Sequence, residues 1–232
     1  MKRFYKAASV APLADGQFGI TLDGRPVRTP SKAMLALDHA PLAAAIAQEW
    51  QDQGETVNPH AMPLTGLANA VIDRIAPDPV AFGSGLAAYA ESELLCYRAT
   101  DDQADLAARQ EQLWGPVLAW ARARYDIGFT LVAGVMHQPQ PLETLTRLRD
   151  AVLAQSLWTL AALSPIVTIT GSCVIGLAIT EGQVGGDTGF DLAHLDELWQ
   201  AEQWGEDHFA LQTRDAHLAD MRAAVRFLGL CR

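Results

Sequence analysis

Basic side chains are missing from a long stretch of this sequence. No Lys or Arg lies between Arg149 and Arg214, whereas eight Asp or Glu residues occur from Glu181 to Asp207. Carboxylates without counter-ions repel one another, so such a stretch is tolerated if it is solvated or if a basic partner binds to it. The formal net charge of −10 argues against a nucleic-acid partner, because such a protein needs a basic face.

Cysteines and long apolar runs are also scarce. The three cysteines, Cys96, Cys173 and Cys231, are odd in number and widely spaced, which predicts reduced thiols rather than a disulfide framework. The most apolar run, residues 165–179, is too short and too interrupted by glycine to span a bilayer. The N-terminus lacks the apolar core of a secretory signal. We therefore expect an intracellular protein without membrane insertion.

Recognisable catalytic and cofactor motifs are missing as well. Gly171 and Gly176 have the outer spacing of a phosphate-binding loop, but Leu177 and Ala178 stand where Lys and Ser or Thr are required. The glycine-rich segment 185–189 has no strand before it and is predicted to be a plain turn. The six histidines lack the spacing of a zinc site, and no Gly-x-Ser-x-Gly elbow exists. The sequence thus favours a binding protein over an enzyme, with no cofactor and no metal.

The residues that are present predict an α+β fold. Half of the residues are hydrophobic, which allows a substantial core, and the abundant Ala and Leu favour helix. Short runs around Asp-Gly pairs in residues 3–30 predict β-hairpins, with the strand that contains Pro26 at an edge. The predicted architecture is a small β-rich N-terminal domain, residues 1–76, followed by a larger, mostly α-helical C-terminal domain, residues 77–232.

The spacing of apolar residues predicts the helices. They are expected at residues 40–53, 64–75, 79–99, 101–125, 142–163, 165–180, 191–204 and 211–228. The helix at 165–180 competes with a strand, because Ile and Val dominate its sequence. Its small residues, Gly171, Ser172 and Gly176, would allow another helix to approach closely.

The acidic segment 191–209 is predicted to be one helix with two apolar faces. Its core stripe consists of Leu192, Leu195, Leu198 and Trp199. On the opposite side, alanines and Trp204 cluster around Glu197, which suits a contact surface. Single exposed apolar residues are common, so a Trp204 packed on the body and a solvated Glu197 stay open as the alternative. Glu202 falls within the core stripe, where it would either reach solvent or accept a hydrogen bond.

Seven pieces of the sequence follow one another in a specific order. They are LDGRPVRTP at 22–30, Glu49-Trp50, MPLTGLANAVIDR at 62–74, ELLCYRA at 93–99, LWGPVLAWARARY at 113–125, Ser156-Leu157-Trp158, and the 191–205 stretch that ends in Gln203-Trp204-Gly205. Together they resemble the ATP synthase assembly chaperones of mitochondria and related bacteria, of the type that attends the alpha subunit of the catalytic head. Mitochondrial members carry a targeting extension, whereas this chain begins at its first strand, which fits a bacterial cytoplasmic member.

The resemblance implies binding without catalysis. Family members bind the free alpha subunit before assembly, shield the surface that later meets the beta subunit, and prevent aggregation. They also carry an important acidic residue in the C-terminal domain. The resemblance places this role on Glu197, with Glu202 as the second choice. The partner-binding residues are therefore expected to be Glu197, Gln200, Glu202 and Trp204, with the alpha subunit as partner.

Two other functions stay open on the sequence. An enzyme would use an unrecognised acidic site within residues 187–207 and would bind a small molecule or a divalent metal. Adjacent carboxylates such as Asp196 and Glu197 are more often helix-end charges than an acid/base pair. An interaction module for another basic partner would use the same acidic helix. The identity of the client separates this last function from that of an assembly chaperone.

Overall fold

The computed structural model describes residues 1–205 and 207–232, which form two compact units. The first unit consists of Met1–Pro79, Ser156–Ala162 and Ala223–Arg232, and the second of Val80–Gln155 and Leu163–Arg222. The fold is α+β as predicted, with a small sheet near the N-terminus and mostly helices after it. The division into domains 1–76 and 77–232 stays a prediction, because a compact unit is not yet an independently folding domain.

The sheet of the first unit is built on an antiparallel hairpin. Strands β1 (Ala8–Pro12) and β2 (Phe18–Leu22) pair along their full length, and the short strands β3 (Arg25–Pro26) and β4 (Ala36–Leu37) both pair with β2. Asp23 and Gly24 form the tight turn between β2 and β3, both with positive φ, which is the turn chemistry that the Asp-Gly pair predicts. Pro26 lies in an edge strand, which confirms its predicted place.

The first strand begins later than the sequence suggests. The sequence favours β-structure from residue 3 onward, but the pairing of β1 with β2 starts only at Ala8. The reason is the carboxylate of Asp23, which accepts hydrogen bonds from the backbone N–H groups of Lys6 (3.0 Å) and Ala7 (2.9 Å). These donors are therefore turned toward a side chain instead of a neighbouring strand.

Helix α1 packs on the sheet of the first unit, and helix α2 packs on α1. Helix α1 (Ala40–Gln51) buries Leu42 and Ile46, and helix α2 (Pro63–Ala70) continues into a π-helical turn, Val71–Ile75. The carboxylate of Glu49 on α1 accepts hydrogen bonds from the first free N–H groups of α2, those of Leu64 and Thr65, both at 2.8 Å. Both helices were predicted, and this cap explains why the second begins where it does.

The second unit is mostly helical. Its helices are α3 (Pro79–Ala87, entering from the first unit), α4 (Ala104–Tyr125), α5 (Leu142–Leu153), α6 (Leu157–Thr170, shared with the first unit), α7 (Cys173–Thr180), α8 (Gly186–Ala193), α9 (Leu195–Trp204) and α10 (His208–Leu230, also shared). Two short strands, β5 (Tyr97–Arg98) and β6 (Val132–Ala133), pair in parallel. None of the described helices is both long enough and apolar enough to cross a membrane.

The predicted helix over 79–99 is wrong beyond its first half. Helix α3 ends at Ala87, and two short 3-10 segments, Ala88–Ser92 and Leu94–Cys96, follow it. The residue between them is Glu93, which is not helical (φ −53°, ψ 117°), and its fully buried carboxylate accepts hydrogen bonds from the Ser172 hydroxyl and from the backbone N–H of Val174 (3.1 Å). A continuing helix would turn this carboxylate away from the partners that it needs in the interior.

The prediction of a single helix over 165–180 is also wrong. The prediction that this segment is helical rather than a strand is confirmed. Ser156 caps α6, because its hydroxyl accepts a hydrogen bond from the backbone N–H of Thr159 at 3.1 Å. The segment 142–163, which was predicted as one helix, therefore contains α5 and the first part of α6, with a break between Leu153 and Leu157. The chain breaks at Gly171, whose φ is 63°, and Ser172 caps α7 through the N–H of Ile175 at 2.9 Å.

Candidate partner-binding surface

The acidic segment forms two helices rather than one. Helix α8 ends at Ala193, and α9 begins at Leu195 and ends before Gly205, which has a φ of 89°. The imidazole of His194 lies in this break, stacked on Phe190 with ring centroids 3.9 Å apart. The prediction of one continuous helix over 191–209 is therefore wrong, because the chain breaks at His194 and again at Gly205.

The glycine-rich segment 185–189 begins helix α8 instead of forming a plain turn. Gly189 lies so close to α7 that a Cβ atom there would be 2.7 Å from the Cδ1 atom of Ile179. Glycine is needed at this position for close helix packing, a requirement that cannot be read from the local sequence.

Helix α4 holds both α8, at Leu192, and α9, at Asp196. The indole N–H of Trp114 donates to the carbonyl of Leu192 (2.9 Å), and the amide nitrogen of Gln110 donates to the carboxylate of Asp196 (2.8 Å). Leu192 and Leu195 are buried, as the predicted core stripe requires, while Leu198 and Trp199 are half-buried. These contacts fix which face of α9 points outward.

Three of the four predicted binding residues line one groove. Glu197, Gln200 and Trp204 form one wall of an open groove of about 200 Å³, and Leu211 and Arg214 of α10 lie on the other. The Glu197 Oε1 atom is 3.6 Å from the Arg214 Nη1 atom. The side chain of Trp204 is 76% exposed, so the alternative in which it packs on the body is wrong.

The fourth residue, Glu202, lies outside this groove. Its two carboxylate oxygens accept hydrogen bonds from the guanidinium of Arg109 at 2.6 and 2.9 Å, and this pair lowers the pKa of Glu202 below its usual range. The Arg109 guanidinium also lies over the Trp199 ring, 5.6 Å from its centroid. Glu202 is therefore held by two short hydrogen bonds from Arg109, whereas Glu197 lines the open groove and makes the longer ion pair with Arg214.

Two further concavities adjoin the groove. One, of about 500 Å³, lies between Trp199, Gln203 and Trp204 on one side and the acidic segment 101–106 on the other. The other, of about 240 Å³, is lined by Gln200 and by Val135 of the loop after β6. We call the three concavities together the α9 surface.

Exposed apolar residues that sequence reasoning missed lie at or near the α9 surface. Phe209 is 78% exposed and Val135 is 92% exposed, and Met136 is exposed next to Val135. Large exposed apolar side chains beside one another are typical of interaction sites. No signal in the sequence identifies them, because single apolar residues in loops are common.

Charge is distributed unevenly between the two units. The second unit contains 19 Asp or Glu residues against 8 Arg, whereas the first contains 8 Asp or Glu against 9 Lys or Arg. The α9 surface therefore belongs to the unit that carries the net negative charge of the chain. Among the described residues, no cluster of His, Cys, Asp and Glu could hold a metal ion.

Other titratable groups of the second unit are buried away from the α9 surface. Burial raises the pKa of Glu93 to about 7, although its hydrogen bonds from Ser172 and Val174 favour the charged form. Burial and the nearby Glu93 also raise the pKa of Cys96 to about 12, and that of Cys173 is raised for the same reasons. These thiols are therefore poor nucleophiles.

Comparisons with known proteins agree with one another. A model of the ATP12 chaperone protein family matches residues 2–122. The chain is 37% identical to Atp12 from Paracoccus denitrificans, with a TM-score of 0.94 over 100% of this chain and 98% of that chain. It is 44% identical to the Atu1473 protein of Agrobacterium tumefaciens, whose crystal structure matches with a TM-score of 0.94 over 100% of this chain and 86% of that chain. The mitochondrial protein atp12 of Schizosaccharomyces pombe is 24% identical over 99% of this chain and 82% of its own length.

Proposed function

Because the chain belongs to the ATP12 chaperone family, we propose that it is an assembly chaperone of the F-type ATP synthase that binds the free alpha subunit of the catalytic head. Binding shields the surface through which the alpha subunit later meets the beta subunit, and so prevents aggregation of the unassembled subunit. The chaperone acts in the bacterial cytoplasm, performs no catalysis and requires no nucleotide of its own.

The observation that carries this proposal is the exposure of Trp204 beside Glu197. Tryptophan is enriched among the residues that dominate binding energy, and a side chain that is 76% exposed has no packing role in the free protein. An unassembled subunit exposes apolar interface together with charged residues. An open groove that offers an indole ring next to a carboxylate matches such a surface.

Electrostatics support the same site. The second unit carries a large excess of carboxylates, so a client with basic residues near its apolar interface is attracted over long range. Glu197 and Gln200 then supply the polar contacts at the groove, and Trp204 supplies the apolar contact. Glu202, which is bound to Arg109, positions α9 and contacts the client only at the rim.

Co-purification with separately expressed alpha and beta subunits tests the function. We expect the chain to retain the alpha subunit and not the beta subunit, because only the alpha subunit is the client. Retention of both to equal extents would indicate general affinity for unfolded protein and contradict the proposal. Retention of neither, with both subunits folded and in solution, would contradict it as well.

A further inference from the structure

A second concavity lies in the first unit, separate from the α9 surface. It is a cleft of about 330 Å³, and its walls include Arg28, Pro30, Trp50, Val57, Met62 and Asn69. We call it the Trp50 cleft. Its lining is mainly apolar, with the exposed cation of Arg28 on one side. Concave apolar sites with a few polar groups are the usual form of ligand and peptide sites.

The walls of the Trp50 cleft are held rigidly by neighbouring hydrogen bonds. The hydroxyl of Thr29 donates a hydrogen bond to the carboxylate of Asp73 at 2.6 Å, which ties the segment after β3 to the π-helical turn that follows α2. On the other side, Glu49 binds the first N–H groups of α2, as described above. The polar residues around the cleft are thus used for positioning, and the cleft is open without rearrangement of the backbone.

Two polar atoms of the cleft residues lack the partners that buried polar atoms normally have. The indole N–H of Trp50 and the side-chain oxygen of Asn69 are shielded from water, and neither has a hydrogen-bond partner among the described residues. One is a donor and the other is an acceptor. An extended peptide offers the complementary pair, since each of its residues carries one carbonyl oxygen and one N–H group.

We propose that the Trp50 cleft binds an extended peptide segment of the client. An apolar side chain of the segment enters between Trp50 and Met62, its backbone pairs with the indole N–H of Trp50 and the oxygen of Asn69 after small side-chain rotations, and Arg28 interacts with a carbonyl or carboxylate of the same segment. This inference rests on the proposed function, because it takes the alpha subunit as the client.

Filling the cleft tests this proposal. Gly66 lies on helix α2 at the cleft, and a Cβ atom added there meets no other atom within 4 Å. We expect Gly66→Phe to place a ring in the cleft and to weaken binding of the alpha subunit by roughly tenfold or more. The matched control is Gly85→Phe, at an open, exposed helical position of α3, which should leave binding unchanged. Equal binding by both variants would overturn the proposal.

Asn69→Leu separates a binding role from a structural one. Removing an acceptor that lacks a partner should leave the melting temperature unchanged or raise it, because an apolar side chain of similar size replaces an unsatisfied polar group. Binding of the alpha subunit should nevertheless become weaker. A parallel loss of melting temperature and binding would mean that Asn69 acts only in the fold, and would contradict the proposal.

Photo-cross-linking distinguishes the cleft from the α9 surface. A photoreactive amino acid placed at position 66, 204 or 85 of the full chain is activated in the presence of the purified alpha subunit. We expect products with the alpha subunit from positions 66 and 204, and none from position 85. A product from 204 alone would overturn the cleft and keep the α9 surface. A product from position 66 alone would support the Trp50 cleft and contradict the α9 surface as a binding site. A product between position 66 and a second copy of this chain would contradict the cleft as a site for the client.

Discussion

At the scale of single residues, the proposed α9 surface depends most on Trp204. We expect Trp204→Ala to weaken binding of the alpha subunit by roughly 2 kcal/mol or more, as truncation at a binding hot spot does. Its melting temperature should stay unchanged, because the exposed ring makes little contact in the free protein. Calorimetric titration with the purified subunit measures the effect. Leu142→Ala is the matched control, since Leu142 is also largely exposed in the second unit; equal affinities for the two variants would refute the role of Trp204.

Glu197 is expected to act through its charge. Glu197→Lys should slow association with the alpha subunit and reduce the dependence of the association rate on salt, because it removes attraction to a basic client. Asp150→Lys makes the same change of charge at an exposed position elsewhere in the second unit and serves as the control. Association rates measured at low and high salt decide the matter. Identical salt dependence for both variants would assign the effect to net charge alone.

Buried Glu93 predicts a pH dependence of stability. Burial raises the pKa of Glu93 from its ordinary value of 4.5 to about 7 in the folded protein, so the folded state binds the proton more tightly than the unfolded state. The stability that this carboxyl contributes is therefore largest below about pH 4.5 and decreases as the pH rises toward 7. Urea unfolding of the wild type and of Glu93→Gln between these pH values tests this. The advantage of the wild type over the variant should shrink as the pH rises, and parallel curves would contradict the expectation.

The sequence predicts part of the candidate site at this scale. Helical periodicity places Glu197 and Trp204 on one face of a helix, the family resemblance adds Gln200, and these three residues line one groove. Their role in binding stays a prediction. The periodicity cannot place Glu202 correctly, because its position depends on Arg109 of another helix. Nor does it indicate that Glu93 is buried, since its hydrogen-bond partners belong to α7.

At the scale of elements, helix existence is predicted better than helix ends. Apolar spacing identifies α1, α4 and α10 well, because their buried positions recur at the helical period. It joins α6 to α7 and α8 to α9, because the breaks at Gly171 and His194 depend on caps and packing contacts that apolar spacing does not report.

The close contact between α6 and α7 depends on Gly176. A Cβ atom at this position would lie 2.7 Å from Val167 and 2.8 Å from Leu163, two side chains of α6. We expect Gly176→Ala to destabilise the protein by about 1–3 kcal/mol, despite the higher helix propensity of alanine. Gly85→Ala, at an open helical position, should instead stabilise it by about 0.5–1 kcal/mol. Urea unfolding measures both, and stabilisation by Gly176→Ala would show that the two helices can separate at little cost.

At the scale of the whole molecule, the first unit needs residues from late in the chain. The indole N–H of Trp158 donates to the carboxylate of Asp38 at 2.7 Å, and the rings of Trp158 and Phe227 lie 6.1 Å apart. A fragment of residues 1–79 lacks both aromatic side chains. We expect this fragment not to unfold cooperatively, as measured by circular dichroism during heating. A sharp transition, with dispersed amide signals in its NMR spectrum, would instead show that residues 1–79 fold alone.

The α+β architecture of the molecule was predictable, but the composition of its units was not. Turn signals and alternating runs near the N-terminus predict the sheet, and the remaining sequence is helical by its spacing. The first unit also includes residues 156–162 and 223–232. They belong to it through contacts between distant parts of the chain, such as that of Trp158 with Asp38. Local sequence patterns carry no information about such pairings.

A chaperone that shields the subunit interface must distinguish the free alpha subunit from the assembled one. A protein that merely has affinity for the alpha subunit does not make this distinction. If the α9 surface covers the part of the alpha subunit that later meets the beta subunit, the chain must bind free alpha subunit and be excluded from the assembled catalytic head. The measurement is calorimetric titration of the chain into each of the two, purified under the same conditions. We predict binding of one chain to one free alpha subunit and no binding to the assembled head. Equal affinity for both would contradict the shielding of the subunit interface, which is the central claim.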